Sequence, residues 1–221
     1  MREKALRVAA HFLEAGTDDL EIGEGEIKVV GTDRRVTLKA IAEAMSGVPG
    51  YAMPGGFEPG LESMQNYIPD ALTYGIGCHA VEVEVDIDTC GVRINRYVVV
   101  NDSGRLVNPM IVEGQIVGGV AHGIGNSLLE WMAYDEQAQP LTTNFADYLL
   151  PGSTDVPRID VTMVEYPSPL NPLGVKGVGE SGCVPAAGAI VSAIEDALAP
   201  FNVQVSEYPV TPSRLYGLMQ R

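Results

Sequence analysis

The chain has 221 residues, of which 46% are hydrophobic, and carries a formal net charge of −15 at pH 7. This length and hydrophobic fraction predict a globular protein with one large core or two small ones. The acidic excess argues against binding to a nucleic-acid backbone, which requires clustered lysine and arginine. No apolar run has the length of a membrane span, and the first residues lack the apolar core of a signal peptide, so we expect a cytoplasmic protein.

Residues 1–75 are predicted to form a first segment with two helices, a short strand and a long loop. Apolar residues at helical spacing predict a helix over residues 2–15, and alternation predicts a strand over 26–31. A second helix is predicted from Thr37 or Leu38 to Met45. Residues 46–75 are rich in glycine, proline and methionine, and a loop of this length is typical of a functional or partner-binding segment.

Residues 76–221 are predicted to form a second domain of α+β class, with mixed sheets and packed helices. Two strands are expected over 80–88 and 92–101, with Val81, Val83, Val85 and Ile87 facing inward, joined by a tight turn. The remaining predicted elements, in chain order, are a helix from Asn108-Pro109 towards Tyr134, a strand over 158–166, a helix over 185–198, a strand over 202–208 and a helix capped by Thr211-Pro212.

The helix predicted after Asn108 contains five glycines, a composition that ordinary surface helices avoid. Each glycine in a helix interior costs about 1 kcal/mol relative to alanine, so five cost about 5 kcal/mol. Two explanations remain open. Either another backbone or a ligand packs closely against this helix, or the helix breaks near His122.

The densest group of glycines runs from Leu173 to Gly182 and contains one carboxylate, Glu180, and one lysine, Lys176. Glycine allows backbone N–H groups to turn towards a ligand that side chains would otherwise block. A loop that brings exposed amides, a cation and a carboxylate together is typical of a functional site. The sequence therefore predicts a binding or catalytic site in this loop.

Other patterns in the same loop have less support. The range Gly177–Gly182 fits the dinucleotide-binding pattern G-x-G-x-x-G, but a proline-rich loop precedes it where that motif requires a strand. A nucleotide- or anion-binding module on these glycines is the less favoured alternative. A nucleophile built from Ser181 or Cys183 with the distant His122 has no local support. The three cysteines include no C-x-x-C pair, which excludes a zinc or iron–sulfur site built from four cysteines of this chain. In a reducing compartment we expect them to be free thiols.

Five segments resemble, in order, motifs of the molybdenum hydroxylases, the family of xanthine dehydrogenase, aldehyde oxidoreductase and aerobic carbon monoxide dehydrogenase. These segments are Asp102–Pro109, Glu113–Gly125, Thr142–Tyr148, Asp155–Pro157 and Gly174–Glu180. The last one resembles the catalytic-glutamate loop of the family. Five ordered matches are far more specific than any single one of them.

The resemblance implies the C-terminal molybdopterin-binding domain of a large subunit. It implies molybdopterin, in its cytosine dinucleotide form, with molybdenum held by the cofactor and not by protein side chains. The implied reaction hydroxylates an electron-poor carbon of an aldehyde, an N-heterocycle or carbon monoxide, using water. Glu180 would be the general base, and iron–sulfur clusters and FAD would lie on partner subunits.

The resemblance also implies cofactor contacts from the residues His122, Gly123, Lys176, Gly177, Val178 and Gly179. Each has a simpler interpretation: His122 as a buried packing residue, Lys176 as a solvated side chain, and the glycines as positions that only permit the turn. Glu180 could instead cap the helix after Pro185. The family commonly has glutamine where His122 stands, and histidine makes the charge at that position pH-dependent.

The resemblance covers only the C-terminal part of the family's large subunit. We therefore expect a partner chain that supplies the N-terminal part, together with an iron–sulfur subunit, a flavin subunit and a small-molecule substrate. The alternative is a non-catalytic interaction subunit or fragment that keeps the fold without binding cofactor alone.

Overall fold

The computed structural model describes residues 1–47 and 55–220, which form two compact units, Met1–Ile68 and Pro69–Arg221. Residues 48–54 of the predicted loop lie outside the described residues. The boundary predicted at 75/76 falls within the second unit, since residues 69–75 belong to that unit. Thr73 shows why, because its hydroxyl donates to the Val175 carbonyl at 3.1 Å.

The first unit packs two helices on a small antiparallel sheet. Its elements are α1 (Arg2–Leu13), β1 (Leu20–Gly23), β2 (Glu26–Val29), β3 (Arg35–Thr37) and α2 (Leu38–Ala44), with strand order β1-β2-β3. Thr37 begins α2, since its hydroxyl accepts from the Ala40 amide at 3.1 Å. The sequence did not predict β1 and β3, because strands of four and three residues are too short to show alternation.

The second unit contains a mixed sheet with the order β4 (Ile76–Val85), β5 (Val92–Asp102) and β6 (Ile159–Val164). The β4–β5 pair is the predicted antiparallel hairpin, and β6 runs parallel to β5. This confirms the predicted mixed architecture. Along β4, Val81, Val83 and Val85 are half-buried as expected, but Ile87 is 56% exposed because β4 ends at Val85.

Three helices complete the second unit: α3 (Pro109–Leu128), α4 (Ala186–Ala197) and α5 (Pro212–Met219). The predicted caps are present, with the Asn108 side chain accepting from the Ile111 amide at 3.3 Å and Thr211 from the Arg214 amide at 3.4 Å. Apolar residues from the helices and the sheet form one core. No helix in the described parts of the chain is both long and apolar enough to cross a membrane.

Helix α3 continues unbroken through His122, so the alternative of a break near His122 is wrong and close packing is the correct explanation for two of its glycines. A Cβ on Gly119 would lie 2.8 Å from the Cα of Gly182, and a Cβ on Gly123 would overlap the Cβ of Ala186. These two positions let α3 approach the Glu180 loop and α4 at backbone distance. Close packing of α3 therefore explains why glycine, despite its low helix propensity, stands at these two positions.

Two predicted elements differ in the structure. Helix α3 ends at Leu128 and not near Tyr134, because the amides of Leu129 and Glu130 both bond to the Gly125 carbonyl and close the last turn. Residues 202–208 form no strand. Their alternating valines do pack into the core, but the Val205 amide donates to the Glu195 side chain and not to a neighbouring strand.

Candidate active site

The first half of the glycine-rich loop is fixed to the end of β5. The Lys176 amide donates to the Ser103 carbonyl at 2.9 Å, and the Arg105 amide donates to the Gly174 carbonyl at 2.9 Å. Gly104 and Gly174 have positive φ angles of 67° and 70°, which favour glycine. The Asp102–Pro109 and Gly174–Glu180 segments, distant in sequence, are therefore neighbours in space.

An ion pair between Lys176 and Asp102 reinforces this junction. The two side chains are 15% and 7% exposed, so the interpretation of Lys176 as a solvated residue is wrong. Burial disfavours ionisation of Asp102, but hydrogen bonds from the Lys176 ammonium and from the Tyr166 and Gly104 amides hold its pKa below the ordinary value. The positive charge of Lys176 is thus neutralised within the protein.

The second half of the loop is a series of turns that carries Glu180 and leads into α4. The Glu180 carbonyl accepts from the amides of Cys183 and Val184, both at 3.1 Å. Helix α4 has Pro185 as its N-cap and no side-chain cap, so the interpretation of Glu180 as a capping residue is wrong. Glu180 is exposed, and its carboxylate has no hydrogen-bond partner in the part of the chain that the structure describes.

Glu180 lines a cavity of about 380 Å³ in the second unit. The residues that share this cavity come from the segment before β4, from β4 and β5, from the glycine-rich loop and from the turn between that loop and α4. They are Thr73, Tyr74, Gly75, Gly77, Asn101, Gly177, Val178, Gly179, Glu180, Ser181, Val184 and Pro185. The predicted site residues Gly177, Val178, Gly179 and Glu180 therefore come together around one space.

Backbone amides in the loop differ in their availability. The Gly177 amide donates to the Thr73 carbonyl at 3.0 Å. Within residues 1–47 and 55–220, the next three amides, those of Val178, Gly179 and Glu180, donate to no acceptor. Consecutive free amides beside a cavity are a binding feature for anionic or carbonyl oxygen atoms.

Asn101 adds a buried polar group that sequence reasoning missed. It is 1% exposed and lines the cavity, and its amide nitrogen donates to the Ser103 hydroxyl at 2.6 Å. Its Oδ1 atom is buried and has no partner among the described residues. An unpaired buried acceptor is costly, so its position in the cavity wall indicates a site for a ligand donor.

Two side chains hold the backbone on either side of Glu180, and sequence reasoning identified neither. His79 Nε2 lies 3.1 Å from the Ser181 carbonyl, and its Nδ1 lies 2.9 Å from the Tyr97 hydroxyl. Gln115 on α3 donates to the Gly179 carbonyl at 2.7 Å. The only sequence signal was that His79 continues the inward-facing positions of β4.

The structure does not bring every predicted residue to the cavity. His122 is exposed on α3 and is not among the cavity residues, so its interpretation as a buried packing residue is wrong. Gly123 is buried, with its Cβ position filled by Ala186. Cys78, Cys90 and Cys183 are free, as expected.

Comparisons with known proteins identify the relatives of this chain. It is 43% identical over 219 residues to the 6-hydroxypseudooxynicotine dehydrogenase complex subunit gamma of Paenarthrobacter nicotinovorans, a match covering 99% of the chain and 27% of the relative. It is 34% identical to the carbon monoxide dehydrogenase large chain of Afipia carboxidovorans, covering 98% of the chain and 26% of the relative. The chain thus spans about a quarter of the length of these relatives.

The solved structure of quinoline 2-oxidoreductase from Pseudomonas putida 86 has the same fold. It matches with a TM-score of 0.81 and 40% identity, covering 99% of this chain and 28% of that one. The sequence profile of the family described as "Molybdopterin cofactor-binding domain" matches residues 1–157. The chain therefore belongs to the molybdopterin cofactor-binding domain family of molybdenum hydroxylases, alongside proteins named carbon monoxide dehydrogenase large chain and xanthine dehydrogenase molybdenum-binding subunit.

Proposed function

We propose that this chain binds molybdopterin in a multi-subunit enzyme that hydroxylates an electron-poor carbon, with Glu180 as the general base. The observation that carries the proposal is the cavity in which Glu180 meets free backbone amides and an unpaired buried acceptor. Such a combination of one carboxylate with converging polar groups is typical of a catalytic site.

The residues around the cavity fit the cofactor. The amides of Val178, Gly179 and Glu180 would hold acceptor or anionic oxygens, such as those of a phosphate. Asn101 Oδ1 would accept from an N–H group of the pterin. Gly75 lines the same space, and a Cβ there would lie 2.5 Å from the Gly177 carbonyl oxygen, so this glycine lets the segment before β4 pack against the loop. When bound, the cofactor supplies the two-electron oxidation of the substrate carbon. We propose that the bound molybdopterin is its cytosine dinucleotide form.

Glu180 would take up a proton at a carboxylate oxygen as the water-derived oxygen attacks the substrate. Its exposed side chain can reach a group in the cavity, whereas its backbone is held by the Cys183 and Val184 amides. The carboxylate of a general base must reach the proton that it accepts while its backbone stays in a fixed position, because proton transfer requires hydrogen-bond distance. Lys176 serves a different purpose in this proposal, since its ion pair with Asp102 anchors the loop.

We infer that the substrate is an N-heterocyclic aromatic compound. The two relatives named for nitrogen heterocycles, 6-hydroxypseudooxynicotine and quinoline, are 43% and 40% identical to this chain, whereas the carbon monoxide dehydrogenase relative is 34% identical. Aldehydes and carbon monoxide are the other substrate classes expected from the family. Ring carbons beside a nitrogen are electron-poor, as the reaction requires.

We propose that the remaining part of a large subunit, an iron–sulfur subunit and a flavin subunit complete the enzyme. The relative from Paenarthrobacter nicotinovorans is itself named as a subunit of a complex. In the second unit, the start of α3 exposes Val107, Met110 and Ile111 together, and a surface of this kind is typical of a contact with another polypeptide.

The test is co-expression of this sequence with the other parts of the enzyme, followed by assay of dye reduction with quinoline and nicotine. We expect molybdenum and pterin in the purified complex and turnover of a heterocycle. Glu180→Gln keeps the size of the side chain and removes the base, so turnover should be lost while molybdenum and pterin contents stay unchanged.

His122→Gln is the matched control, because it also introduces an uncharged glutamine on this unit but at an exposed position outside the cavity. We expect that variant to keep both its cofactor and its turnover. Near-normal turnover by the Glu180→Gln variant would show that Glu180 is not the general base. A complex without molybdenum or pterin would support the alternative of a non-catalytic interaction subunit.

A further inference from the structure

His79, a residue outside the motifs of the glycine-rich loop, contacts the backbone next to the proposed base. It lies on β4, where its ring packs edge-on against the fully buried Tyr97 ring with centroids 5.6 Å apart. His79 is paired in register with Val99, so Tyr97 is its diagonal neighbour on the same face of the sheet. The imidazole is therefore held by β4 and β5, and its Nε2 reaches the Ser181 carbonyl at 3.1 Å.

The two partners fix the tautomer of His79. A backbone carbonyl only accepts, so Nε2 must carry the proton that faces Ser181. Nδ1 of the neutral ring then accepts from the Tyr97 hydroxyl at 2.9 Å. Burial lowers the pKa of His79 against the opposing effect of the Ser181 hydrogen bond, and burial raises the pKa of Tyr97. Both shifts favour this neutral arrangement.

Each of the three consecutive carbonyls around Glu180 has a donor. Gln115 donates to Gly179, the Cys183 and Val184 amides donate to Glu180, and His79 donates to Ser181. Gln115 is exposed on α3, whereas His79 is partly buried on the sheet. Of these three sets of donors, His79 is thus the one that connects the turn to the sheet.

We propose that His79 is a positioning residue for Glu180: its Nε2–H holds the Ser181 carbonyl and so fixes the turn from which the carboxylate enters the cavity. The proposal rests on the proposed function, in which Glu180 is the base. A displaced base weakens the chemical step and leaves substrate binding unchanged, because proton transfer depends on distance more steeply than binding does.

Two variants of His79 separate this role from simple packing. Glutamine places its amide nitrogen where Nε2 stands and keeps the donor to Ser181, whereas asparagine places its polar group where Nδ1 stands and keeps only a partner for Tyr97. In the assembled enzyme, hydrogen–deuterium exchange of the peptide spanning residues 178–184 measures the order of the turn without any substrate. We expect exchange to rise about fivefold to tenfold in His79→Asn, the factor for one lost hydrogen bond, and to stay within about twofold of wild type in His79→Gln.

The kinetic measurement uses the substrate that the assay of the proposed function identifies. We expect kcat to fall about tenfold in His79→Asn, with KM, molybdenum content and pterin content unchanged, and to be restored in His79→Gln. Unchanged exchange in His79→Asn, or equal defects in both variants, would overturn the proposal. If Glu180→Gln remains active while exchange follows this pattern, the proposed base is wrong and the positioning contact is right.

If His79→Asn does not assemble, the double variant His79→Leu with Tyr97→Phe replaces it. The two changes remove the Nε2–H donor to the Ser181 carbonyl and leave no unpaired Tyr97 hydroxyl in the core. We expect exchange of the same peptide to rise about fivefold to tenfold, as for His79→Asn. Exchange equal to that of wild type would contradict the proposal.

Discussion

Lys176 Nζ donates to Asp102 Oδ2 across 74 positions of sequence, joining the loop of Glu180 to the end of β5. Asp102 also accepts from the Gly104 amide at 2.8 Å and from the Tyr166 amide at 3.1 Å. One carboxylate therefore organises the loop, the end of β5 and the segment after β6. Removing it should affect the fold of the second unit before it affects any chemistry.

Asp102→Ala should destabilise the second unit by about 3–5 kcal/mol, because it leaves the Lys176 ammonium buried without its counter-charge. Urea unfolding followed by the fluorescence of Trp131, the single tryptophan, measures this loss within the second unit. Glu84→Gln is the matched control, since it breaks the exposed pair with Arg93. The control should change stability little, and equal stability of the two variants would contradict the structural role of Asp102.

Stability of the second unit should fall as the pH drops below about 6.5, because of His79. Its pKa in the folded state lies below the ordinary value of 6.5, so the unfolded chain binds the proton first on acidification. Stability falls most steeply between the unfolded and the folded pKa and levels off below the folded pKa. The slope cannot exceed about 1.4 kcal/mol per pH unit for a single group.

The difference in unfolding free energy between wild type and His79→Gln, measured from pH 7.5 to pH 5.5, isolates this contribution. We expect the wild type to lose more stability than the variant on acidification. Parallel curves for the two proteins would show that His79 titrates equally in the folded and unfolded states.

Two adjacent glycines of α3 should respond in opposite directions to alanine. A Cβ on Gly119 would lie 2.9 Å from the Cys183 nitrogen, and backbone on the facing loop cannot yield easily, so Gly119→Ala should cost about 1–3 kcal/mol. Gly118 has open space around its Cβ position, so Gly118→Ala should stabilise α3 by about 1 kcal/mol. Thermal unfolding of the two variants checks both signs, and a stabilising Gly119→Ala would contradict the close approach.

Asn101→Ala should weaken cofactor retention, because it removes the buried acceptor in the cavity wall. The loss of one hydrogen bond corresponds to about fivefold to tenfold in affinity. Pterin released from the assembled enzyme during dialysis measures the change. Ser103→Ala is the control, since it removes the partner of the Asn101 nitrogen and leaves Oδ1 in place. Equal release of pterin from both variants would show that Asn101 Oδ1 does not bind the cofactor.

Local patterns made much of the fold predictable. The β4–β5 hairpin follows from alternation and a turn, and the starts of α3 and α5 follow from Asn108 and Thr211. Prediction failed where tertiary contacts override local preference. Residues 202–208 alternate like a strand, yet Glu195 takes the hydrogen bond of Val205 that a neighbouring strand would need.

The linear chain was enough to single out the loop as the candidate site, because glycine content, Glu180 and the order of five motifs can be read from it. The residues that support the loop came to light only in the folded chain. His79 and Ser181 are 102 positions apart, and Asp102 and Lys176 are 74 apart. Contacts between such distant residues depend on how β4, β5 and α3 pack against one another. No local pattern in the sequence predicts that packing, which brings together the residues that line the cavity.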